Sequence, residues 1–373
     1  MKGQQRMKVE IITRHAIINY GSLLQALATQ NVIENLGHEA EIIDYIRYDE
    51  HYKNREKFSI KRKPEWNNNV IKRLIYLALR QPQSIIAGRG FEKERKRLLK
   101  MSRRYSSIDE LKKYIPDGDV YMTGSDQVWG PVENGEYDEA YFLGFTDKNA
   151  KRISYASSFG RTEMSDDLRQ FFKNNLANYR HITVRENSAK SIIENMGYDV
   201  RQVLDPTLLM DKEQWQRYFK PAPDYKYILI YQINNDNKLG EYALKLSAKT
   251  GLPVIRIGAA FHYIRMPGKL KMCFSMGEFL SYIDKAEYLI TDSFHGTAFA
   301  LNFNTPFVEV LPNNKTGTRN VSILELTGLT DRILRDINDV DLAMKPIDFS
   351  KVNDVIERER KKSLDLLQQI IVE

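Results

Sequence analysis

At 373 residues the chain is longer than one hydrophobic core usually organises, so two domains of ordinary size are expected. A hydrophobic fraction of 42% and a charged fraction of 28% sit near globular averages and exclude disordered and fibrous classes, while the single cysteine, Cys273, excludes an intramolecular disulfide and any multi-cysteine zinc site. The net charge of +7 is uneven: residues 47–113 hold 20 Lys/Arg against 8 Asp/Glu, an excess of twelve, which leaves the remainder at −5.

In chain order, the N-terminal MKGQQRMKVEIITRH carries positive charge but meets Arg14 and His15 before the apolar stretch of a signal peptide develops, and no run reaches the roughly 18 apolar residues of a membrane span; a cytoplasmic protein is expected. Val9 to Thr13 reads as a strand, Asn19-Tyr20-Gly21-Ser22 as a turn, Leu23 to Asn35 as an amphipathic helix stopped by Gly37, and Ala40 to Tyr45 as a second strand. The basic segment of about 47–113 reads as a helical insertion. Its helix at Phe91 to Arg104 presents a solvated face with Glu92 and Glu94 paired along it, with a peripheral contact to an anionic membrane at its inner face as a second reading. No nucleic-acid partner is expected.

Strands follow at Asp119 to Thr123, Arg152 to Ser157, His181 to Val184 and Arg201 to Leu204, and Pro206 marks a domain exit. A second set comprises Tyr227 to Gln232, Val254 to Ile257, Tyr288 to Thr291 and Phe307 to Val310. It is separated by helices near Leu239 to Lys249, Met276 to Asp284 and Gly296 to Asn302, and a C-terminal helix spans Val352 to Ile371. The alternation predicts an α/β chain of two Rossmann-like domains facing a cleft, residues 1–208 and 209–348, with the helix of 349–373 packing back across.

Loops after strands are where open parallel sheets hold ligands. In Thr291-Asp-Ser-Phe-His-Gly, a strand passes through Asp292 and Ser293 into a helix opened by Phe294, His295 and Gly296. Backbone N–H groups and a helix dipole there suit an anion, and a histidine there can move a proton near neutral pH; a plain N-cap by Ser293 or Asp292 is the alternative. Gly124-Ser125-Asp126 follows another strand, where Gly124 allows close approach to the backbone and Ser125 and Asp126 offer acceptors to sugar hydroxyls or caps to a helix. Arg185 leaves a strand end with the reach to clamp an anion or to pair with Glu186. Asn19, Gly21 and Ser22 in the first turn, Ser157, Ser158 and Arg161, and Lys315 are lesser candidates. The phosphate-loop and dinucleotide fingerprints are absent from the sequence, and Asp117-Gly118-Asp119 precedes a strand, as a tight turn does, where a metal-holding loop would follow one.

Taken in order, INYGSLLQALA, YMTGSDQVW, RISYASSFG, VRENSA, VLDPTLL and ITDSFHGTAFALNFNTPFV resemble the polysaccharide pyruvyl transferase family over Val9 to Leu311. The resemblance implies the fold of two-domain B-type glycosyltransferases and transfer of the pyruvyl unit of phosphoenolpyruvate onto two hydroxyls of a sugar as a cyclic ketal. Phosphoenolpyruvate is then a co-substrate, no cofactor or metal is needed, and the acceptor sugar is free, polymeric or lipid-linked. The resemblance implies His295 as the general acid and Arg185 and Lys315 at the donor; Ser125 and Asp126, and with them Asn19, Gly21 and Ser22, are the residues expected at the acceptor. Some members carry an arginine two residues before the histidine. Here Ser293 stands there, so the resemblance leaves Lys315 or Arg161 to supply the charge, or a different donor. A nucleotide-sugar glycosyltransferase and a non-catalytic polysaccharide-pathway protein are the alternative functions.

Overall fold

A computed structural model describes residues 5–132, 135–160, 164–234, 236–312 and 317–373. The chain divides into two compact units, one of Met1–Arg185, Ala189–Pro206 and Asp365–Glu373, the other of Glu186–Ser188 and Thr207–Leu364. The strands are β1 (Lys8–Ile12), β2 (Glu39–Tyr45), β3 (Met101–Tyr105), β4 (Val120–Thr123), β5 (Arg152–Ser154), β6 (Tyr179–His181), β7 (Thr183–Val184), β8 (Arg201–Gln202), β9 (Ile228–Tyr231), β10 (Val254–Gly258), β11 (Lys269–Met272), β12 (Tyr288–Thr291) and β13 (Phe307–Glu309). Helices of eight or more residues are α1 (Tyr20–Asn35), α2 (Val70–Leu98), α3 (Asp166–Leu176), α4 (Asn187–Glu194), α5 (Lys238–Thr250), α6 (Met276–Asp284), α7 (Phe294–Phe303), α8 (Thr318–Thr327) and α9 (Phe349–Val372).

In the first unit the strands lie in the order β3-β2-β1-β4-β5-β6, every pair parallel, and β7 pairs separately with β8. This is the doubly wound order of a Rossmann sheet, whose ligand crevice opens where the chain changes direction across the sheet, outside the carboxyl ends of β1 and β4. Central strands read as unbroken aliphatic runs because helices cover both faces. Ile11 pairs in register with Ile42 on one side and Met122 on the other, and all three are fully buried. One aromatic core lies among β4, α3 and the loops beyond β4, where Trp129 stacks on Phe142 at 6.0 Å and meets Phe159 at 5.1 Å.

The second unit repeats the plan: β11-β10-β9-β12-β13, all parallel, so its crevice opens after β9 and β12. Its core joins Ile228 and Ile230 of β9 to Ile290 of β12, Val308 of β13 and Leu239, Tyr242 and Leu246 of α5. The long helix α9 begins in this unit, where Arg360 donates to the Leu208 carbonyl at 2.8 Å. Its last residues belong to the first unit, where Lys151 donates to the Ile371 carbonyl at 2.7 Å.

Three local readings differ from the structure. Helix α1 starts at Tyr20, because Asn19 takes the N-cap and its side chain accepts from Gly21 N and Ser22 N; the residues read as a turn are the first helical turn. The basic stretch of 91–104 is not one helix: α2 ends at Leu98, and Met101–Tyr105 forms β3, so the insertion contributes an edge strand to the sheet. Strand β11, unread in the sequence, closes the other sheet.

Candidate active site

Both loops singled out after β4 and β12 lie at the direction change of their sheets, which is where the fold opens a crevice. Each unit supplies its own cluster.

In the first unit, Asp126 carries a left-handed φ of 73°, a strained conformation for a residue other than glycine. It is held by surrounding bonds: Oδ1 accepts from Gln127 N at 2.8 Å and from Arg185 Nη2 at 3.4 Å, and Oδ2 accepts from the Ser22 hydroxyl. Ser125 is completely buried and donates to the Ala156 carbonyl and to Asp205 Oδ2, at 3.0 and 2.9 Å. The Arg185 guanidinium, also fully inside, reaches Asp205 at 2.8 Å. Ser22, Ser125, Asp126 and Arg185 thus come together, joined by Asp205, which was not singled out from the sequence. Their polar atoms largely satisfy one another, as burial of charge requires. Asn19 and Gly21 stay in the helix cap, and Ser157 donates to the Gly124 carbonyl at 2.9 Å. Packing requires a small residue at Gly124: a Cβ there would lie 3.1 Å from Thr13 Cβ and 3.3 Å from Ile11 Cγ2.

Beside this cluster is a cavity of about 210 Å³ lined by Arg14, Ile17, Glu50, Tyr52, Arg55 and Arg62, among others. Arg14 donates to the carbonyls of Gly130 and Pro131 at 2.8 and 3.0 Å, which fixes its guanidinium at the wall. Burial pushes the Glu50 carboxyl up, against the pull of Arg14 and Arg47. Nearby His15 meets Asp44 Oδ1 at 3.1 Å while Arg104 holds Oδ2 at 2.7 Å. Burial would raise the Asp44 carboxyl, but these partners outweigh it and hold it at about 2.

In the second unit, Ser293 is the N-cap of α7 and accepts from Gly296 N at 3.3 Å, so the positive end of the α7 dipole follows directly on the β12 loop. His295 is the second residue of that helix and 4% exposed, with Phe294 set edge-on to its ring at 5.2 Å. Gly296 allows α7 to sit on the sheet, since a Cβ would lie 2.4 Å from Thr291 Oγ1. Asp292 accepts from Ile233 N, Asn234 N and Asn234 Nδ2 at 2.7 to 3.1 Å, tying the β9 loop to the β12 loop; burial still pushes its carboxyl up. Two neighbours escaped the sequence reading. Arg256, in the middle of β10, is fully buried, donates to Gln232 Oε1 and to the Pro267 carbonyl, and lies near enough to Asp292 to feel its charge. Glu309, at the end of β13, meets Thr297 of α7 and Asn320 of α8 and is pushed by burial up to about 8. Arg161 and Lys315 lie outside the described residues.

Two parallel sheets of Rossmann type with crevice loops of this kind define a B-type glycosyltransferase-like fold, and solved structures agree. Arabidopsis thaliana UGT89C1 complexed with UDP-L-rhamnose aligns at TM-score 0.53 and 9% identity over 99% of this chain and 100% of its own. The spinosyn forosaminyltransferase SpnP aligns at TM-score 0.52 and 12% identity over 99% and 100%. At these identities the likeness is one of fold. The chain belongs to the polysaccharide pyruvyl transferase family, whose model matches residues 19–315. No curated protein matches it in sequence.

Proposed function

We propose that this chain transfers the pyruvyl unit of phosphoenolpyruvate onto two hydroxyls of a sugar in a surface polysaccharide or its precursor, with His295 as general acid. The observation that carries the proposal is the position of His295 in the first turn of α7, where the β12 loop meets the crevice of the second sheet, in a chain of this family. A helix N-terminus favours an anion and disfavours an imidazolium, so the bound donor must itself supply the negative charge that keeps His295 protonated.

The steps balance without a cofactor. His295 gives a proton to C3 of the enol phosphate, leaving C2 electrophilic; one sugar hydroxyl adds to C2 and loses its proton. The C2–O bond to phosphate then breaks with its electron pair on inorganic phosphate, and the neighbouring hydroxyl closes the ketal; of the two hydroxyl protons, one restores His295 and the other leaves on phosphate as hydrogen phosphate. The positive end of the α7 dipole stabilises charge moving onto the leaving phosphate.

Because Ser293 is engaged as a cap and Arg185 is held by Asp205 and Asp126, we assign donor charge neutralisation to Lys315 and Arg161. Arg185 becomes the residue that fixes Asp126. Asp126, buttressed by Ser22 and Arg185, is assigned to the acceptor hydroxyls.

The test is phosphate release from phosphoenolpyruvate in the presence of nucleotide-linked and lipid-linked glycans, with mass analysis for the ketal. Release with ketal formation, lost in His295→Ala, supports the reading. Undiminished turnover in that variant removes the histidine from the mechanism, and consumption of a nucleotide sugar with phosphoenolpyruvate untouched replaces the reading with glycosyl transfer.

A further inference from the structure

Helix α2 has an apolar face that nothing among the described residues covers. Its inner side is packed: Tyr76, Ser84, Ala87, Gly88 and Phe91 are buried, with Tyr76 and Ser84 donating to Glu56 at 2.9 and 2.6 Å. Opposite them, Val70, Ile71, Leu74, Ile75, Leu79 and Ile86 are between 47% and 68% exposed. At 100° per residue these six fall on one half of the helix, turned away from the Tyr76–Ala87 side. Scattered single aliphatics on a surface need no explanation, but a continuous row of this kind does. Among the described residues no helix is long and apolar enough to cross a membrane, so the row is not part of a span.

The charge around the row identifies what it meets. Between Glu65 and Glu92 the sequence has no acidic residue, while Lys72, Arg73, Arg80 and Arg89 fall within that stretch. Lys72, Arg73 and Arg89 are exposed, as are Lys53, Lys57, Lys61 and Arg62 on the segment that packs against α2. An aliphatic face whose own stretch carries cations and no carboxylate, beside a segment where exposed Lys53, Lys57, Lys61 and Arg62 outnumber exposed Glu65, is the pattern of a helix lying in the interface of an anionic bilayer, its apolar side among the acyl chains and its cations at headgroup phosphates. A second copy of this chain fits less well, because an antiparallel two-fold contact through this face would bring Lys72 of one copy towards Arg89 of the other, with no acidic residue between Glu65 and Glu92 to offset them.

We infer that the apolar face of α2, from Val70 to Ile86, seats this protein on an anionic lipid surface. The inference concerns a surface and not the reaction, and its readout is independent of pyruvyl transfer.

The experiment is co-sedimentation of the full chain with vesicles of phosphatidylcholine containing 30% phosphatidylglycerol, against vesicles of phosphatidylcholine alone. Binding to the anionic vesicles at least tenfold stronger than to neutral ones is expected, weakening as salt rises. The double variant Leu74→Glu/Leu79→Glu changes exposed side chains, so its circular dichroism and melting should match the parent; vesicle binding should fall at least tenfold. Lys72→Glu/Arg73→Glu should bring binding on anionic vesicles down toward the neutral level. Absence of binding by the parent chain, or equal binding by the Leu74→Glu/Leu79→Glu variant, overturns the inference. So does a dimer in analytical ultracentrifugation that dissociates in that variant while vesicles are ignored, since the face would then belong to a second copy.

Discussion

The Glu309 carboxyl is completely buried, and burial outweighs its bonds to Thr297 and Asn320 to push it up to about 8. At neutral pH it is therefore protonated. Thr297 Oγ1 donates to one of its oxygens and Asn320 Nδ2 to the other at 2.6 Å, and the same Thr297 hydroxyl lies 3.2 Å from the Ser293 carbonyl. The chain of bonds ends at the cap of the helix that carries His295. A carboxyl whose folded pKa is raised holds its proton in the folded state and loses it on unfolding. Its stabilisation is whole below the unfolded value near 4.5 and drains away as pH rises to about 8, at about 1.4 kcal/mol per unit as an upper bound. Glu309→Gln keeps the shape and cannot ionise, so its melting temperature should exceed the parent's at pH 8, match it near pH 5, and vary less between. A parallel pH dependence in the two proteins would show Glu309 ionised throughout. Glu10, also pushed by burial to about 8 on β1, contributes a slope of the same sign that the variant leaves in place. Sequence could not show any of this: a glutamate ending a Phe-Val-Glu strand reads as a solvent-facing end, and only the tertiary packing of α7 and α8 encloses it. Arg185 was visible as a strand-end cation, but Asp205, the partner that occupies it, lies twenty positions on in an unrelated loop.

At the scale of elements, α7 depends on two small residues with separate duties. Ser293 closes the cap, and Gly296 lets the first turn rest on β12. Ser293→Ala removes one capping bond and should cost about 1 kcal/mol. Gly296→Ala should cost more, roughly 1 to 3 kcal/mol, because the added methyl would press on Thr291 Oγ1 and, at 3.0 Å, on Tyr231 Cδ1, both fixed in central strands. Urea melts of the two variants check the order, and a Gly296→Ala protein as stable as Ser293→Ala would mean that the turn can lift from the sheet. The strands flanking this helix were readable because they are buried on both faces and spell continuous aliphatic runs, as in Ile228–Tyr231. Strands β3 and β11 were not. Both are sheet edges, Met-Ser-Arg-Arg-Tyr and Lys-Leu-Lys-Met, and edges carry the charges that keep other chains from pairing with them. The charge that protects them erased the hydrophobic signal, so β3 read as the tail of a basic helix.

Across the whole molecule, the same strand order recurs in both units, 3-2-1-4-5 with a sixth strand added in the first, and the two motif-bearing loops fall at the two direction changes. That coincidence was legible in outline, since the motifs follow strands in the sequence; which loops are central depends on strand order, which β3 and β11 complete. Fold alone is shared with enzymes that bind nucleotide sugars, so the donor has to be decided by binding. A ligand that binds only the folded state stabilises it by RT ln(1 + [L]/Kd), about 2.7 kcal/mol at a hundredfold excess over Kd. Phosphoenolpyruvate should therefore raise the melting temperature by several degrees, and UDP should not. The shift should persist in His295→Ala, reduced only by the loss of the imidazolium that the donor holds protonated, and it should shrink in Lys315→Ala, which removes a charge assigned to the donor. Stabilisation by UDP with none by phosphoenolpyruvate would move this chain, fold unchanged, to nucleotide-sugar chemistry. A phosphoenolpyruvate shift untouched by Lys315→Ala would return the donor's charge to other cations, with Arg161 the first to replace.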